Sequence, residues 1–319
     1  MTLLRSADNV HRMPRPPRVA FVGSGGAARG IAHLGILKAF EELAIEPSIF
    51  VGASAGAIVG ALYGQRVPLD TMIDAYRAPW QRKTRGPFLH EDAFFGLPSL
   101  SDLRNPGYLL SGLFSIDKLE THLRARLPSN DFRSVDSTIL VTACDIDGRG
   151  REVFGRGYRE DVAISQAVAA SCCVPGLFRP YRIGDRYFVD GEVVRTLSLD
   201  LAVDAGADIV IVSNIYRPLL TKPERPSIAA RGAGKVLEQT LSIILSEKER
   251  RGIELYNRLH PHVTFIDVSP DIGHIGFLNR FASRQLLLRG YKQAMTELLA
   301  AKARGVFAMR DDKPAPSLH

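Results

Sequence analysis

Short apolar runs alternate with longer segments of helical periodicity along most of this chain. Arg18 to Val22 reads as a strand. After the turn Gly23 to Gly26, Ile31, Leu34, Leu37 and Phe40 recur at helical spacing and predict a helix from about Arg29 to Leu43. Ile49 to Val51 reads as a second buried strand, and Ala55 to Tyr63 as its helix. Thr138 to Cys144 is a third strand, which Asp147-Gly148 turns back into Arg151 to Phe154. Asp161 to Cys172 reads as a helix that ends before Pro175. Tyr181 to Ile183 and Arg186 to Val189 form a hairpin around Gly184-Asp185. A short helix at Ser198 to Ala205 leads into a strand at Asp208 to Ile215. Beyond a proline-rich loop at Pro218 to Pro226, helices are expected over about 229–259 and 277–303, with a strand at Val263 to Val268 between them. Strands alternating with helices predict an α/β fold: a largely parallel central sheet flanked by helices.

A single domain is expected over 18–305, with a motif-bearing region at 18–216 and a C-terminal helical part at 217–305. The ends, 1–17 and 306–319, read as disordered tails, the first of them basic. The stretch from Trp80 to Phe114 has no period. It mixes aromatic residues such as Phe88, Phe94 and Tyr108 with Arg82, Lys83 and Arg85. Two readings stay open there, a mobile lid over a site or a cap packed permanently onto the domain. Its aromatic rings and cations also suit an anionic membrane surface, so reversible contact with one is expected.

Composition narrows the class. The 319 residues are 45% hydrophobic and 24% charged, as in ordinary globular proteins, and no apolar run approaches the ~18 residues of a membrane span. Met1 to Pro17 lacks the apolar segment of a secretory signal. A cytoplasmic protein, peripheral at membranes, is therefore expected. The three cysteines make no disulfide framework and match no zinc spacing. The net charge of +7 is spread along the chain, without a nucleic-acid-binding signature. No nucleic-acid partner, metal or cofactor is expected, and nothing in the sequence sets the oligomeric state.

The chemistry centres on Ser54. It stands at the apex of Gly52-Ala53-Ser54-Ala55-Gly56, between a strand and a helix. Small flanking residues let those elements approach closely and leave the hydroxyl exposed at the sheet edge, as in a nucleophile elbow. A second glycine-rich turn, Gly23-Ser24-Gly25-Gly26-Ala27-Ala28-Arg29-Gly30, also lies between a strand and a helix. Such a turn presents amides to an anion, either a nucleotide phosphate or the oxyanion of an attacked ester. A Walker loop would need a Lys followed by Ser or Thr, which is missing, and the spacing matches a dinucleotide fingerprint only loosely. Consecutive strand–turn–helix units place both turns at one sheet edge, which favours the oxyanion. The hydroxyl needs a base. His260, His262 and His274 follow the serine in sequence, and Asp190 ends a strand before Gly191. An Asp-Gly pair is also a common turn.

Four ordered segments carry a resemblance. They are Gly25 to Gly30 with Ala32-His33-Leu34-Gly35, Gly52 to Ala57, Ala170 to Phe178, and Val189-Asp190-Gly191. Together they resemble the patatin-like phospholipase family over roughly 18–216. The resemblance implies a Ser–Asp dyad without histidine, with Ser54 as nucleophile and Asp190 as its base. It also implies an oxyanion hole from the first loop, at Gly25, Gly26 and Ala27, and an acyl-ester lipid as substrate. Arg29 would support the loop or contact a head group. The chain departs from the family pattern at Ala27 in place of a third glycine, at Glu192 in place of a glycine after Asp-Gly, and at Thr196 and Ser198. Ala27 keeps its N–H and is strained only if its φ is positive. The alternative is a regulatory or scaffold protein with this fold and little turnover.

Overall fold

The computed structural model describes residues 14–81, 106–195, 197–216, 218, 226–272, 275–276 and 279–310. Ten strands are described: β1 (Val19–Gly23), β2 (Ile49–Gly52), β3 (Gly112–Phe114), β4 (Thr138–Asp145), β5 (Gly150–Gly155), β6 (Gly176–Phe178), β7 (Tyr181–Ile183), β8 (Arg186–Asp190), β9 (Ile209–Ser213) and β10 (Thr264–Val268). The α-helices are α1 (Ile31–Glu42), α2 (Ala55–Tyr63), α3 (Leu69–Gln81), α4 (Pro106–Leu109), α5 (Asp117–Arg124), α6 (Ile164–Ser171), α7 (Leu199–Asp204), α8 (Ala233–Leu259) and α9 (Ser283–Ala303).

The main sheet runs β10-β9-β1-β2-β4-β8-β7, with β5 also on β4. The first five strands are parallel, and β8, β7 and β5 add antiparallel pairs. β3 and β6 form a separate two-stranded sheet. The expected α/β architecture with a largely parallel sheet is therefore the observed one.

Alternation along the strands explains the layering. Val19, Phe21, Phe50, Ile139, Val141, Ile209 and Ile211 face one core, shared with α1, α2, α6 and α9. Ala20, Val22, Ile49, Val51, Leu140, Val210 and Val212 face a smaller core beneath α7 and part of α8. Both faces of the parallel strands are covered, which is why these strands read as continuous apolar runs. Helix α1 is buried along most of its length because α9 packs on its outer side. A Cβ on Gly35 would lie 2.0 Å from the Leu287 carbonyl oxygen, and one on Gly290 would lie 2.1 Å from that of Ala32, so both contact positions are held by glycine.

The ordered body reaches beyond both boundaries expected from sequence. Arg15 and Arg310 exchange backbone hydrogen bonds of 3.1 and 2.9 Å, and the Arg15 guanidinium binds Asp208 at 2.6 Å. Residues 14–17 and 306–310 therefore do not belong to disordered tails: an ion pair and a two-way backbone bridge hold them on the domain. Helices α3 and α5 and the pair β3–β6 extend the elements read from sequence. Of the aromatic stretch 80–114, residues 82–105 and the Trp80 side chain lie outside the described residues, so the lid, cap and membrane expectations there fall outside them too. No described helix is long and apolar enough to cross a membrane.

Candidate active site

One edge of β4 brings the two halves of the site together. Leu140 and Val141 pair with both β2 and β5, so those two strands lie on opposite edges of β4. Ala143 to Asp145 pair with both β5 and β8, so these too lie on opposite edges. Hence β2 and β8 occupy the same edge in tandem and run toward each other. Gly52 aligns with Val141, and Asp190 aligns with Ala143. The turn that follows Gly52 meets the end of β8, where the Ser54 side chain lies near enough to the Asp190 carboxylate to favour its charged form.

Ser54 sits at φ 51°, ψ −120°, a conformation that L residues rarely adopt. Such strain costs about 1–3 kcal/mol and persists only when the surroundings hold it. Three contacts do so. The Ser54 N–H donates to Ser171 Oγ at 2.8 Å, and that hydroxyl donates to the Thr142 carbonyl at 2.7 Å. The Gly56 N–H donates to the Ser24 carbonyl at 3.1 Å, locking the two glycine-bearing turns together. A Cβ on Gly56 would lie 2.1 Å from the Gly23 carbonyl oxygen, so α2 can start this close to β1 only with glycine there. Ser171 lies in the third motif, where sequence reading attached no role to it. Its only signal was membership in Ala170 to Phe178.

Asp190 is 4% exposed. Burial pushes its carboxyl up to about 6, against the Glu192 amide and the Ser54 side chain, which favour the charged form. The Glu192 amide donates to Asp190 Oδ1 at 3.0 Å, and the Asp190 amide donates to the Cys173 carbonyl at 2.9 Å. A carboxylate with a pKa near 6 is a far better proton acceptor than one near 4, yet still ionises at neutral pH. The neighbouring Cys172 and Cys173 are buried, and burial raises both thiols well above their ordinary range.

The first loop sits against Ser54, with corrections to its expected donors. A point one Cβ bond from Gly25 lies 3.1 Å from Ser54 Cβ, so Gly25 and the serine are immediate neighbours. The Gly25 N–H, however, donates to Glu192 Oε1 at 2.7 Å. It is not free for a ligand in this structure. Ala27 lies at φ 49°, the strained case, and Gly26 at φ 151°. Arg29 is fully buried, and its Nε donates to the Ile275 carbonyl at 2.8 Å. Burial lowers its pKa to about 10. That placement fits loop support, and with no exposed surface the side chain does not present itself to a head group.

The histidines divide cleanly. β10 is parallel to β9 and β1, and His260 and His262 precede it. They therefore stand at the N-terminal edge of the sheet, opposite the edge where β1 and β2 deliver Gly25 and Ser54. His274 lies outside the described residues. His33 is buried beside the first loop, and burial lowers its pKa to about 4. Neutral, it donates from Nε2 to the Ser24 carbonyl at 2.9 Å, because that oxygen can only accept, and Nδ1 accepts from the Ser213 hydroxyl. Its role is to hold the Ser24 turn on β9. Sequence reading did not anticipate it.

The chain is similar to several known proteins. A family model described as patatin-like phospholipase matches residues 21–203. An uncharacterized NTE family protein of Mycobacterium tuberculosis is 24% identical over 273 residues, 82% of this chain and 43% of the relative. A protein of Invertebrate iridescent virus 6 named as a probable lipid hydrolase is 25% identical over 187 residues, 56% of this chain and 61% of its own. VipD from Legionella pneumophila superposes over 90% of this chain and 68% of its own, with a TM-score of 0.48 and 14% identity. The chain spans about half the length of the curated relatives it matches.

Proposed function

Because the chain belongs to the patatin-like phospholipase family, we propose that it is a serine acyl hydrolase that cleaves carboxylic ester bonds of lipids, of the phospholipase A or lysophospholipase type. The observation that carries this reading is the placement of Ser54 beside the buried Asp190 carboxylate, at the junction of β2 and β8.

In this reading Asp190 accepts the Ser54 proton as Oγ attacks the ester carbonyl. The carbonyl oxygen takes up the electron pair and is held by amides of the loop Gly25 to Ala27. Collapse expels the alcohol, which receives the proton from Asp190 and leaves an acyl-Ser54. Water, deprotonated by Asp190, attacks the acyl group, and a carboxylic acid departs as Ser54 regains its proton. Each amide aimed at the oxyanion is worth ~10²–10³-fold in rate. The positive end of α2, which begins at Ala55, favours the same negative charge.

One observation favours the second reading, a scaffold or regulator with little turnover: Glu192 already occupies the Gly25 amide. Incubation with a fluorescent phosphatidylcholine and a lysophosphatidylcholine separates the two. Release of fatty acid that disappears in Ser54→Ala supports the hydrolase. Release that is absent, or equal in Ser54→Ala, rejects it.

A further inference from the structure

Glu192 follows the candidate base by two residues, yet its carboxyl turns back into the site. It is 2% exposed. Oε1 accepts the Gly25 amide at 2.7 Å, while Oε2 is buried without a hydrogen-bond partner. Its Cγ and Ser54 Cβ each lie 3.1 Å from one point beside Gly25, and Tyr216 Oη lies 2.6 Å from it. The carboxyl thus fills the space between the loop, the serine and Tyr216. Burial and the nearby Asp190 charge hold it well above the usual carboxylate range. Oε1 presents a carbonyl-like acceptor to a loop amide, next to a serine hydroxyl. An ester about to be attacked would present the same group in the same place.

We propose that Glu192 is an internal plug of the anion-binding loop, a side chain that mimics the ester carbonyl and that substrate must displace before Ser54 reacts. The proposal rests on the hydrolase reading above. A buried carboxyl with one oxygen unsatisfied is an unfavourable resting state. That makes displacement feasible rather than prohibitive. An outward partner is at hand. Lys248 of α8 donates from Nζ to the carbonyls of Val193 and Val194 at 3.4 and 3.3 Å, and its charge favours ionised Glu192. Swung outward, Glu192 would face Lys248 and leave the Gly25 amide free. Asp190 would keep its bond from the Glu192 backbone, so the base is not disturbed by the swing.

The test compares wild type, Glu192→Ala and Glu192→Gln. Two quantities are read: the second-order rate of fluorophosphonate labelling at Ser54, and the Gly25 amide proton shift by NMR. Glu192→Ala should accelerate labelling by about 10-fold or more, approaching the ~10² that one oxyanion donor is worth. Its Gly25 amide should move upfield as the short bond is lost. Glu192→Gln keeps an accepting oxygen and should show the smaller gain and the smaller shift. Slower labelling in Glu192→Ala overturns the plug and makes Glu192 a helper of the reaction. An unmoved Gly25 amide in Glu192→Ala overturns it regardless of rate, because the contact is then absent. A shifted amide with unchanged labelling also overturns it. Loss of Ser54 labelling in all three proteins overturns the hydrolase reading instead, and the amide shift then still reports whether Glu192 occupies the loop.

Discussion

Asp190 meets Ser54 because β8 and β2 share one edge of β4, end to end. Asp190 stands opposite Ala143, while Gly52, two residues before Ser54, stands opposite Val141. The distance between serine and carboxylate is therefore set by strand register in a packed sheet rather than by a mobile loop. Such placement would hold the proposed pair within the narrow geometry that proton transfer needs.

The carboxyl near pH 6 leads to opposite trends in activity and stability. In the proposed mechanism activity requires ionised Asp190, so kcat/KM should rise with pH through about 6 and level off above it. For folding, the carboxyl is raised from 3.8 to about 6, so the folded state holds its proton more tightly. Its favourable contribution is complete below pH ~4 and is lost as pH climbs through about 6, a change on the order of 2–3 kcal/mol. Asp190→Asn should abolish turnover and also remove this loss, leaving a variant at least as stable as wild type at pH 8. Chemical denaturation at pH 4 and 8 checks it.

Backbone strain at Ser54 separates two inactive variants. Ala at φ 51° keeps the strain, whereas Gly accepts it. Ser54→Gly should therefore be more stable than Ser54→Ala by about 1 kcal/mol, with both lacking esterase activity. Thermal unfolding of the pair reads the difference directly.

Gly56 tests how tightly the serine turn is clamped. A methyl group 2.1 Å from the Gly23 oxygen cannot be relieved by a rotamer change, since the clash is with backbone. Gly56→Ala should destabilise the protein by about 3 kcal/mol and lower activity by displacing α2 from β1. A control substitution, Gly148→Ala, stands in a turn where an added Cβ meets nothing within 4 Å but where φ is 90°. It should cost only the backbone strain, about 1 kcal/mol, and leave turnover intact.

The histidines offer a direct comparison of base assignments. His260→Ala and His262→Ala alter residues at the far sheet edge and should retain kcat within about twofold, with effects confined to stability, as for most surface substitutions. Loss of activity in either one would reject Asp190 as the base.

What sequence reading recovered, and what it missed, follows from where the information sits. The strands around Phe21, Phe50 and Ile211 are buried on both faces, so their apolar runs are unbroken and easy to find. The turns at Gly25 and Ser54 stand out because close backbone approach restricts residue choice there. Glu192 was visible only as a departure from a family pattern. Its contact with the Gly25 amide joins residues remote in sequence and has no local signature. Ser171 and His33 act through backbone groups that only the folded chain brings near them. The pair β3–β6 is too short to leave a period, and α5 is a mostly polar helix whose few apolar contacts, Leu119 and Leu123, lie in the core.

The central claim is that Ser54 is a nucleophile activated by Asp190. Fluorophosphonate labelling followed by peptide mass spectrometry tests it most directly, on wild type, Ser54→Ala and Asp190→Asn at pH 8. The predicted result is a single adduct on Ser54 in wild type, no adduct in Ser54→Ala, and labelling slowed by ~10²-fold or more in Asp190→Asn, the scale of a positioned general base. An adduct on another residue, or labelling of Ser54 at an undiminished rate in Asp190→Asn, would contradict it.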